Sequence, residues 1–231
     1  MTNGAGKGDQ PRPYNRERYE KNYTRIFQTS DLEAFADFQR FQKIPRLYRD
    51  IIITEKIDGT NAQIYIPEGN GPILAGSRKR WLRTDQEDNF GFGAWVREHA
   101  DELQQLGPGR HFGEWWGRGI NRGYGLDHRR FSLFNVSRWY DNSHDPGGAA
   151  LNCLGIRTPV PPCCHVVPIL WIGPFYTRVI QRILCRLQET GSYAAPGFMK
   201  PEGIVIYHTA GNCCFKVTIE NDSKPKGKAN D

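Results

Sequence analysis

The stretch that decides the fold is Thr54-Glu55-Lys56-Ile57-Asp58-Gly59-Thr60-Asn61. An apolar run at 51–53 precedes it, and a second strand-like run at 63–66 follows it. Because Asp-Gly is a turn signal, the pattern predicts a hairpin with Lys56 at the end of its first strand. A lysine at the lip of a buried strand, beside a glycine that lets a ligand approach, is a candidate nucleophile. An exposed lysine at an ordinary hairpin turn explains the same residues, so this stretch alone leaves both interpretations open.

The composition is that of a globular protein with an excess of positive charge. The chain has 231 residues, enough for one domain with a sizeable core or for a domain with a small appendage. Lys and Arg outnumber Asp and Glu by 31 to 25, which weakly favours a polyanionic partner. The first residues are polar, and no apolar run approaches the ~18 residues of a membrane span. We therefore expect a cytoplasmic protein with no membrane partner.

Six cysteines include the adjacent pairs Cys163-Cys164 and Cys213-Cys214. Neighbouring cysteines rarely bridge each other, and the chain looks intracellular, so we expect reduced and mostly buried thiols. A zinc site built from these pairs and His165 is the less favoured alternative, because the spacing is not Cys-x-x-Cys.

The apolar pattern predicts an α+β fold in which antiparallel sheets are flanked by helices. We expect a flexible basic arm at 1–25, one domain at 26–222 and a basic tail at 223–231. Predicted strands follow the hairpin at 73–83, 111–116, 130–136, 166–171, 203–207 and 213–219. Predicted helices lie at 30–42, 89–106 and 174–188. Since strands and helices do not alternate regularly, a parallel βαβ architecture is disfavoured.

Three carboxylates and a second lysine lie within or beside these strands. Glu55 adjoins Lys56, Glu114 lies in the predicted strand 111–116, and Glu202 precedes the strand at 203–207. Each carboxylate taken alone is typical of a solvated strand end. Lys216 lies inside an apolar run, so its face is either a solvated outer surface or a cleft in which it could bind phosphate. A nucleophilic lysine needs a lowered pKa, whereas carboxylates beside it would raise that pKa. Carboxylates near Lys56 are therefore expected only if they hold a metal ion.

Six segments in this order resemble the motifs of the covalent nucleotidyltransferase superfamily, which contains DNA ligases, RNA ligases and mRNA capping enzymes. The resemblance runs from about residue 44 to residue 222. Lys56-Ile-Asp-Gly-Thr-Asn61 resembles the nucleophile motif, and Ser77-Arg78 resembles the motif whose arginine contacts phosphate or ribose. Phe112-Gly-Glu-Trp115 is similar to the motif whose glutamate binds the ribose.

The remaining motifs complete the resemblance. The segment Arg130-Phe-Ser-Leu-Phe-Asn-Val136 is similar to the one whose aromatic ring stacks on the base, for which we prefer Phe134 to Phe131. Glu202-Gly-Ile-Val-Ile206 resembles the metal-binding motif. Phe215-Lys-Val-Thr218 resembles the last motif, whose lysine contacts the α-phosphate.

Within the superfamily, the chain most resembles phage RNA ligases that seal nicks in duplex RNA, in a minimal form without an OB domain. Glu55 directly before the nucleophile and Asn61 five residues after it are features of that group. Two positions depart from the RNA ligase pattern. Thr218 stands where a second lysine is usual, a role that Lys224, Lys226 or Lys228 could take, and Asn135 stands where an aspartate is usual.

The resemblance implies an ATP-dependent RNA ligase. Lys56 would attack the α-phosphate of ATP and hold AMP, which passes to a 5′-phosphate before a 3′-hydroxyl displaces it. Implied catalytic residues are Lys56 and Lys216, and implied metal ligands for Mg²⁺, or Mn²⁺ in its place, are Glu55 and Glu202. Implied nucleotide-binding residues are Glu55, Ile57, Asn61, Arg78, Glu114, Phe134, Glu202 and Lys216.

The implied partners are ATP and either RNA ends or a nicked duplex. We expect a monomer, in the host cytoplasm if a phage encodes it. Three alternatives stay open: a minimal ATP-dependent DNA ligase, an enzyme that stops at adenylylation, and a non-catalytic nucleic-acid-binding relative of the ligase fold.

Overall fold

The structure is a computed structural model that describes residues 39–69, 71–82, 88–141 and 157–220, together with Glu17, Lys21 and Asp222. The chain divides into two compact units, residues 1–44 and 45–231. In the first unit, Glu17 and Lys21 are helical, whereas residues 39–44 are irregular and exposed. Most of the predicted arm, of the predicted helix at 30–42 and of the predicted tail lies outside the described residues.

The second unit contains eleven described strands and three described α-helices. The strands are β1 (Asp50–Lys56), β2 (Thr60–Ile66), β3 (Leu74–Ser77), β4 (Gly109–Gly117), β5 (Arg129–Leu133), β6 (Trp139–Tyr140), β7 (Thr158–Pro159), β8 (Cys164–Val166), β9 (Ile169–Pro174), β10 (Gly203–His208) and β11 (Cys213–Thr218). The helices are α1 (Phe92–Glu98), α2 (Ala100–Leu103) and α3 (Thr177–Thr190), with 3-10 turns at Asn89–Gly91 and Gln104–Leu106. None of the described helices is long and apolar enough to cross a membrane.

The strands form two larger sheets and one small one. The first sheet has the order β11-β10-β1-β9, and all its pairs are antiparallel. The second has the order β3-β2-β4-β5-β8 and is antiparallel except for the parallel pair β5–β8. The small sheet is the parallel pair β6–β7. The architecture is therefore mixed α+β with several sheets and few helices, and its two short parallel pairs were not predicted.

Side chains of β1 alternate between two apolar cores, which places this strand at the centre of the unit. Ile51 and Ile53 pack with α3, whose stripe of Val179, Ile183 and Leu187 recurs every four residues. Ile52 faces the other way and belongs to the core shared with the second sheet. Burial on both faces explains why β1 reads as an unbroken run of isoleucines.

Two predicted elements have different bounds in the structure. The strand predicted at 73–83 ends at Ser77, because the Ser77 N–H donates to the Arg80 carbonyl and residues 78–80 turn the chain. The helix predicted at 174–188 begins instead at Thr177, since Pro174 is the last residue of β9.

The prediction that the cysteines are mostly buried is wrong for one of the two adjacent pairs. Cys164 is buried, but Cys213 and Cys214 lie on β11 with exposed side chains. The reason is that β11 is the edge strand of the first sheet, so its residues are less covered than those of β10.

Candidate active site

Lys56 ends β1 on the same face as Ile52, towards the second sheet. Its backbone pairs with Gly203 of β10, so the residue before that glycine, Glu202, lies beside it. Lys56 Nζ donates to Glu202 Oε2 at 2.5 Å. The Glu202 side chain is 4% exposed and that of Lys56 is 19% exposed, so solvent reaches the lysine but hardly the carboxylate.

Glu114 of β4 is held by the residues that follow Lys56. The Gly59 N–H donates to Glu114 Oε1 at 3.1 Å, and Asn61 Nδ2 donates to Glu114 Oε2 at 3.0 Å. Asn61 and Glu114 are paired directly in the β2–β4 ladder. Burial raises the pKa of Glu114 to about 7, although the Lys56 charge and these two donors act against the rise. Lys56, Glu114 and Glu202 therefore form one site that spans both large sheets.

Lys216 lies on the same face of the first sheet as Lys56. It pairs with Val205 of β10, and Val205 pairs with Thr54 of β1, two residues before Lys56. Directly paired residues point to the same side of a sheet, so the exposed side chain of Lys216 is on the cleft face. Thr218 lies two residues after Lys216 on β11, so it shares the same face of the strand. Its hydroxyl donates to the Glu220 carbonyl at 2.9 Å.

Arg78, Phe134 and Ile57 differ in how far they are available to a ligand. Arg78 is the first residue of the turn after β3, whose last residue, Ser77, pairs with Ala62, and its side chain is exposed. Phe134 is 42% exposed, whereas the alternative Phe131 is fully buried against Phe92 and Trp95. Ile57 is buried in the core, so only its backbone could contact a nucleotide.

Glu55 points to the opposite face of β1, contrary to the expectation that it shares a metal site with Glu202. Its carboxylate accepts hydrogen bonds from Ser192 Oγ at 2.6 Å and from the Tyr193 and Ala194 N–H groups at 2.8 and 2.9 Å. Burial raises its pKa, and the three donors oppose that rise. The physical reason is the two-residue period of a strand, which sends neighbouring side chains to opposite faces. Glu55 anchors the 192–194 segment instead.

The glycine-rich loop between β4 and β5 supplies site residues that sequence reasoning missed. Tyr124 Oη accepts the Asp58 N–H at 2.8 Å, and Asn121 Nδ2 donates to Asp58 Oδ1 at 3.0 Å and to the Gly59 carbonyl at 2.7 Å. Arg122 Nε donates to Asp58 Oδ2 at 3.1 Å. The only signal in the sequence was the placement of polar residues between closely spaced glycines.

The sequence model of the RNA ligase family matches residues 49–218, which include Lys56, Glu114, Glu202 and Lys216. The chain belongs to the RNA ligase family. Membership in the covalent nucleotidyltransferase superfamily is thereby confirmed, whereas the phage branch stays a prediction. No curated protein matches the sequence.

Among solved structures, this RNA ligase family chain is similar to an RNA ligase of Naegleria gruberi. An apo mutant of that ligase has a TM-score of 0.50 and 21% identity, over 80% of this chain and 56% of the other. A mutant with ATP and Mn has a TM-score of 0.49 and 20% identity, over 74% of this chain and 49% of the other. This chain thus spans about half the length of the solved ligase. At these identities the likeness concerns the fold alone.

The donor set of this RNA ligase family site fits a divalent cation that keeps water and phosphate ligands. In the part of the chain that the structure describes, no three His, Cys, Asp or Glu side chains come close enough to hold a metal ion. Among the described residues, the cysteine pairs and His165 therefore form no such group. Glu114 and Glu202 are near enough for the charge of one to raise the pKa of the other. Mg²⁺ typically takes one or two carboxylates plus waters and phosphates, so a single carboxylate such as Glu202 is enough to serve as its protein ligand.

Proposed function

We propose that this chain is an ATP-dependent RNA ligase that joins a 5′-phosphate to a 3′-hydroxyl through a lysyl-AMP intermediate on Lys56. The proposal is supported above all by the contact between Lys56 Nζ and Glu202 Oε2, made inside the segment that matches the family. A part-buried lysine beside a carboxylate has an acceptor for its proton, and a bound metal ion and neighbouring cations would lower its pKa towards the nucleophilic amine.

In the first step Lys56 Nζ attacks the α-phosphorus of ATP. The N–P bond forms as the bond from the α-phosphorus to the pyrophosphate oxygen breaks, and the amine loses a proton. Glu202 is the carboxylate placed to accept that proton, since it already accepts a hydrogen bond from Nζ. Transfer then depends mostly on alignment and on charge stabilisation.

The other residues of the cleft orient the nucleotide. Glu114, held by Asn61, would accept hydrogen bonds from the ribose, and the exposed ring of Phe134 would stack on adenine. Lys216 and Arg78 would offset negative charge on the phosphates. Bound Mg²⁺, or Mn²⁺ in its place, would neutralise phosphate charge, with Glu202 among its ligands.

In the later steps AMP passes from Lys56 to a 5′-phosphate, and a 3′-hydroxyl attacks that phosphate and releases AMP. The protein must align the two ends on the same face as Lys56. RNA is the proposed polynucleotide on the strength of the family match.

Labelling with ATP tests the first step. We expect α-labelled ATP and Mg²⁺ to leave label on the denatured wild-type chain, but none on Lys56→Ala or Lys56→Arg. Lys56→Arg retains the positive charge beside Glu202 and so controls for folding, while Lys43→Ala removes an exposed lysine and should label normally. An unlabelled wild type, shown by mass to be free of prior adenylylation, would exclude this function.

Matched nicked duplexes test the substrate. We expect sealing of a nick with RNA at its two ends, and much slower sealing of the same sequence in DNA. Equal or faster sealing of the DNA nick would favour the DNA ligase alternative, and labelling without any sealing would favour an enzyme that stops at adenylylation.

A further inference from the structure

We propose that Arg122 is a positioning residue that aligns Lys56 for attack on ATP. This inference rests on the proposed function. The Arg122 guanidinium bonds to Asp58 Oδ2 at 3.1 Å through Nε and to the Lys200 carbonyl at 3.0 Å through Nη1. Its Nη2 lies 3.7 Å from Glu220 Oε2. One side chain therefore joins three separate segments of the chain.

Each of these segments carries a residue of the proposed site. Asp58 comes two residues after Lys56, Lys200 comes two residues before Glu202, and Glu220 comes four residues after Lys216. A guanidinium is planar and its N–H directions are fixed relative to one another. Holding the hydrogen bonds to Asp58 and Lys200 at once therefore sets the spacing between the nucleophile and its carboxylate partner, whereas the exposed Glu220 contact adds little.

The loop that presents Arg122 is itself tightly held. Tyr124 packs its ring 4.9 Å from that of Trp116 and 4.6 Å from that of Phe198, while its hydroxyl accepts the Asp58 N–H. Asn121 and Tyr124 have φ of 44° and 53°, a region that residues other than glycine rarely adopt. Such conformations persist when surrounding contacts over-determine them. The loop that carries Arg122 is therefore held in one conformation by its contacts, which a positioning residue requires.

The test measures the single-turnover rate of Lys56 adenylylation against ATP concentration. We expect Arg122→Ala to lower the maximal rate by about 10- to 100-fold, the cost of a small misplacement of reacting groups. The ATP concentration at half-maximal rate should change much less, since the guanidinium of Arg122 is engaged with Asp58 and Lys200. Arg122→Lys should recover part of the rate, because an ammonium can reach Asp58 but cannot reproduce the fork.

Arg118 provides the matched control on the same loop. It is exposed, and its side chain makes one long hydrogen bond, 3.4 Å to the Asp127 carbonyl. Arg118→Ala removes the same charge and should adenylylate at the wild-type rate.

Three results would overturn the inference. Arg122→Ala could react at the wild-type maximal rate, it could lose ATP affinity with no loss of maximal rate, or Arg118→Ala could be equally slow. If Arg122→Ala does not fold, the milder variants Asp58→Asn and Arg122→Lys test the inference instead. Each should lower the maximal rate of adenylylation. Because both break the same contact, the double variant should be no slower than the slower single variant. An unlabelled wild type would instead remove the proposed function and this inference with it.

Discussion

Glu114 shows how a buried carboxylate can be tolerated at the centre of the site. Its side chain is 7% exposed, and desolvation is the main reason for its raised pKa. The Gly59 N–H and the Asn61 amide satisfy both of its oxygens, and Lys56 supplies a compensating charge. Without ATP and metal, the protonated and ionised forms of Glu114 are therefore similarly populated near neutral pH.

We predict that loss of the Glu114 proton makes the unliganded protein less stable as the pH rises. Its pKa is about 7 when folded and near 4.5 ordinarily, so its contribution is fully present below pH 4.5 and is lost as the pH passes through 7. The difference corresponds to on the order of 3 kcal/mol. Urea unfolding between pH 4 and 8 should show this decline in wild type but not in Glu114→Gln. The exposed Glu98→Gln should behave as wild type, and identical declines in all three proteins would contradict the prediction.

Gly59 is the residue where the nucleophile turn and β4 come closest. A Cβ there would lie 2.5 Å from the Trp115 carbonyl oxygen and 3.0 Å from Glu114 Cγ. We predict that Gly59→Ala shifts the turn, breaks its hydrogen bond to Glu114 and slows adenylylation at least about tenfold. Gly69→Ala is the comparison for backbone strain without a close contact, because its φ is 86° and a Cβ there meets nothing within 4 Å. Similar labelling rates for Gly59→Ala and wild type would show that the close approach does not matter.

At the scale of single residues, the sequence pointed to side chains in short motifs, and the structure brings three of them together. Lys56, Glu114 and Glu202 could be placed because each lies on or beside a predicted strand and belongs to a family motif. The Glu55 expectation ignored the alternation of β1, which was visible in the sequence. The contact between Arg122 and Asp58 could not be predicted, since it joins residues 64 positions apart through a loop without regular structure.

Among the secondary-structure elements, β1 is tied to the segment after α3 through Glu55. The Ser192 hydroxyl and two backbone N–H groups converge on one carboxylate, and Ser192 Oγ also accepts the Ala195 N–H at 3.0 Å. Two of these donors are buried and the Tyr193 N–H is partly buried, so removing the acceptor would leave them unsatisfied. The anchor therefore holds the strand that carries Lys56 from the side opposite to the site.

We predict that Glu55→Ala lowers the free energy of unfolding by about 2–4 kcal/mol without changing the metal dependence of adenylylation. The reason is that Glu55 binds the 192–194 segment and not the cleft. Glu202→Ala should instead raise the Mg²⁺ concentration needed for labelling. Glu189→Ala, an exposed carboxylate on α3, should alter neither quantity. A shifted Mg²⁺ requirement in Glu55→Ala would restore the metal-ligand role inferred from the sequence.

Element types were easier to predict than element bounds. Strands β10 and β11 match their apolar runs within a residue, but the helix predicted at 89–106 is broken into short pieces. Asp88 accounts for the first break, since its carboxylate accepts the Gly93 and Ala94 N–H groups at 2.5 and 2.9 Å and so caps α1. The left-handed conformation of Phe90 and Gly91 before α1 gave no sequence signal strong enough to predict.

For the molecule as a whole, the site exists only because the two large sheets face each other. The first contributes Lys56 and Lys216, and the second contributes Asn61 and Glu114. The basic turn 78–80 is exposed beside the second sheet, whereas α3 covers the face of the first sheet away from Lys56. Positive charge near the cleft can therefore be varied independently of charge on α3.

We predict that salt weakens use of the polynucleotide far more than use of ATP. Phosphate contacts release counterions, so the KM for a nicked RNA should rise steeply between about 50 and 200 mM salt. The double variant Lys79→Ala, Arg80→Ala should show a shallower dependence, because it removes two exposed cations from the turn 78–80. Arg178→Ala with Arg186→Ala, two exposed cations of α3, should leave the dependence unchanged. Equal slopes for all three proteins would rule out the basic turn as a phosphate contact.

The order of strands in the first sheet also indicates which strands lose their backbone hydrogen bonds most readily. β1 is hydrogen-bonded on both sides, to β10 and β9, whereas β11 is bonded only to β10 among the described strands. Backbone amides of β1 should therefore exchange with deuterium slowly, and those of β11 much sooner. Lys56 would stay fixed on β1, whereas Lys216 lies on β11, a strand that can fray. Nucleotide binding should then appear as slower exchange in β11, with little change in β1.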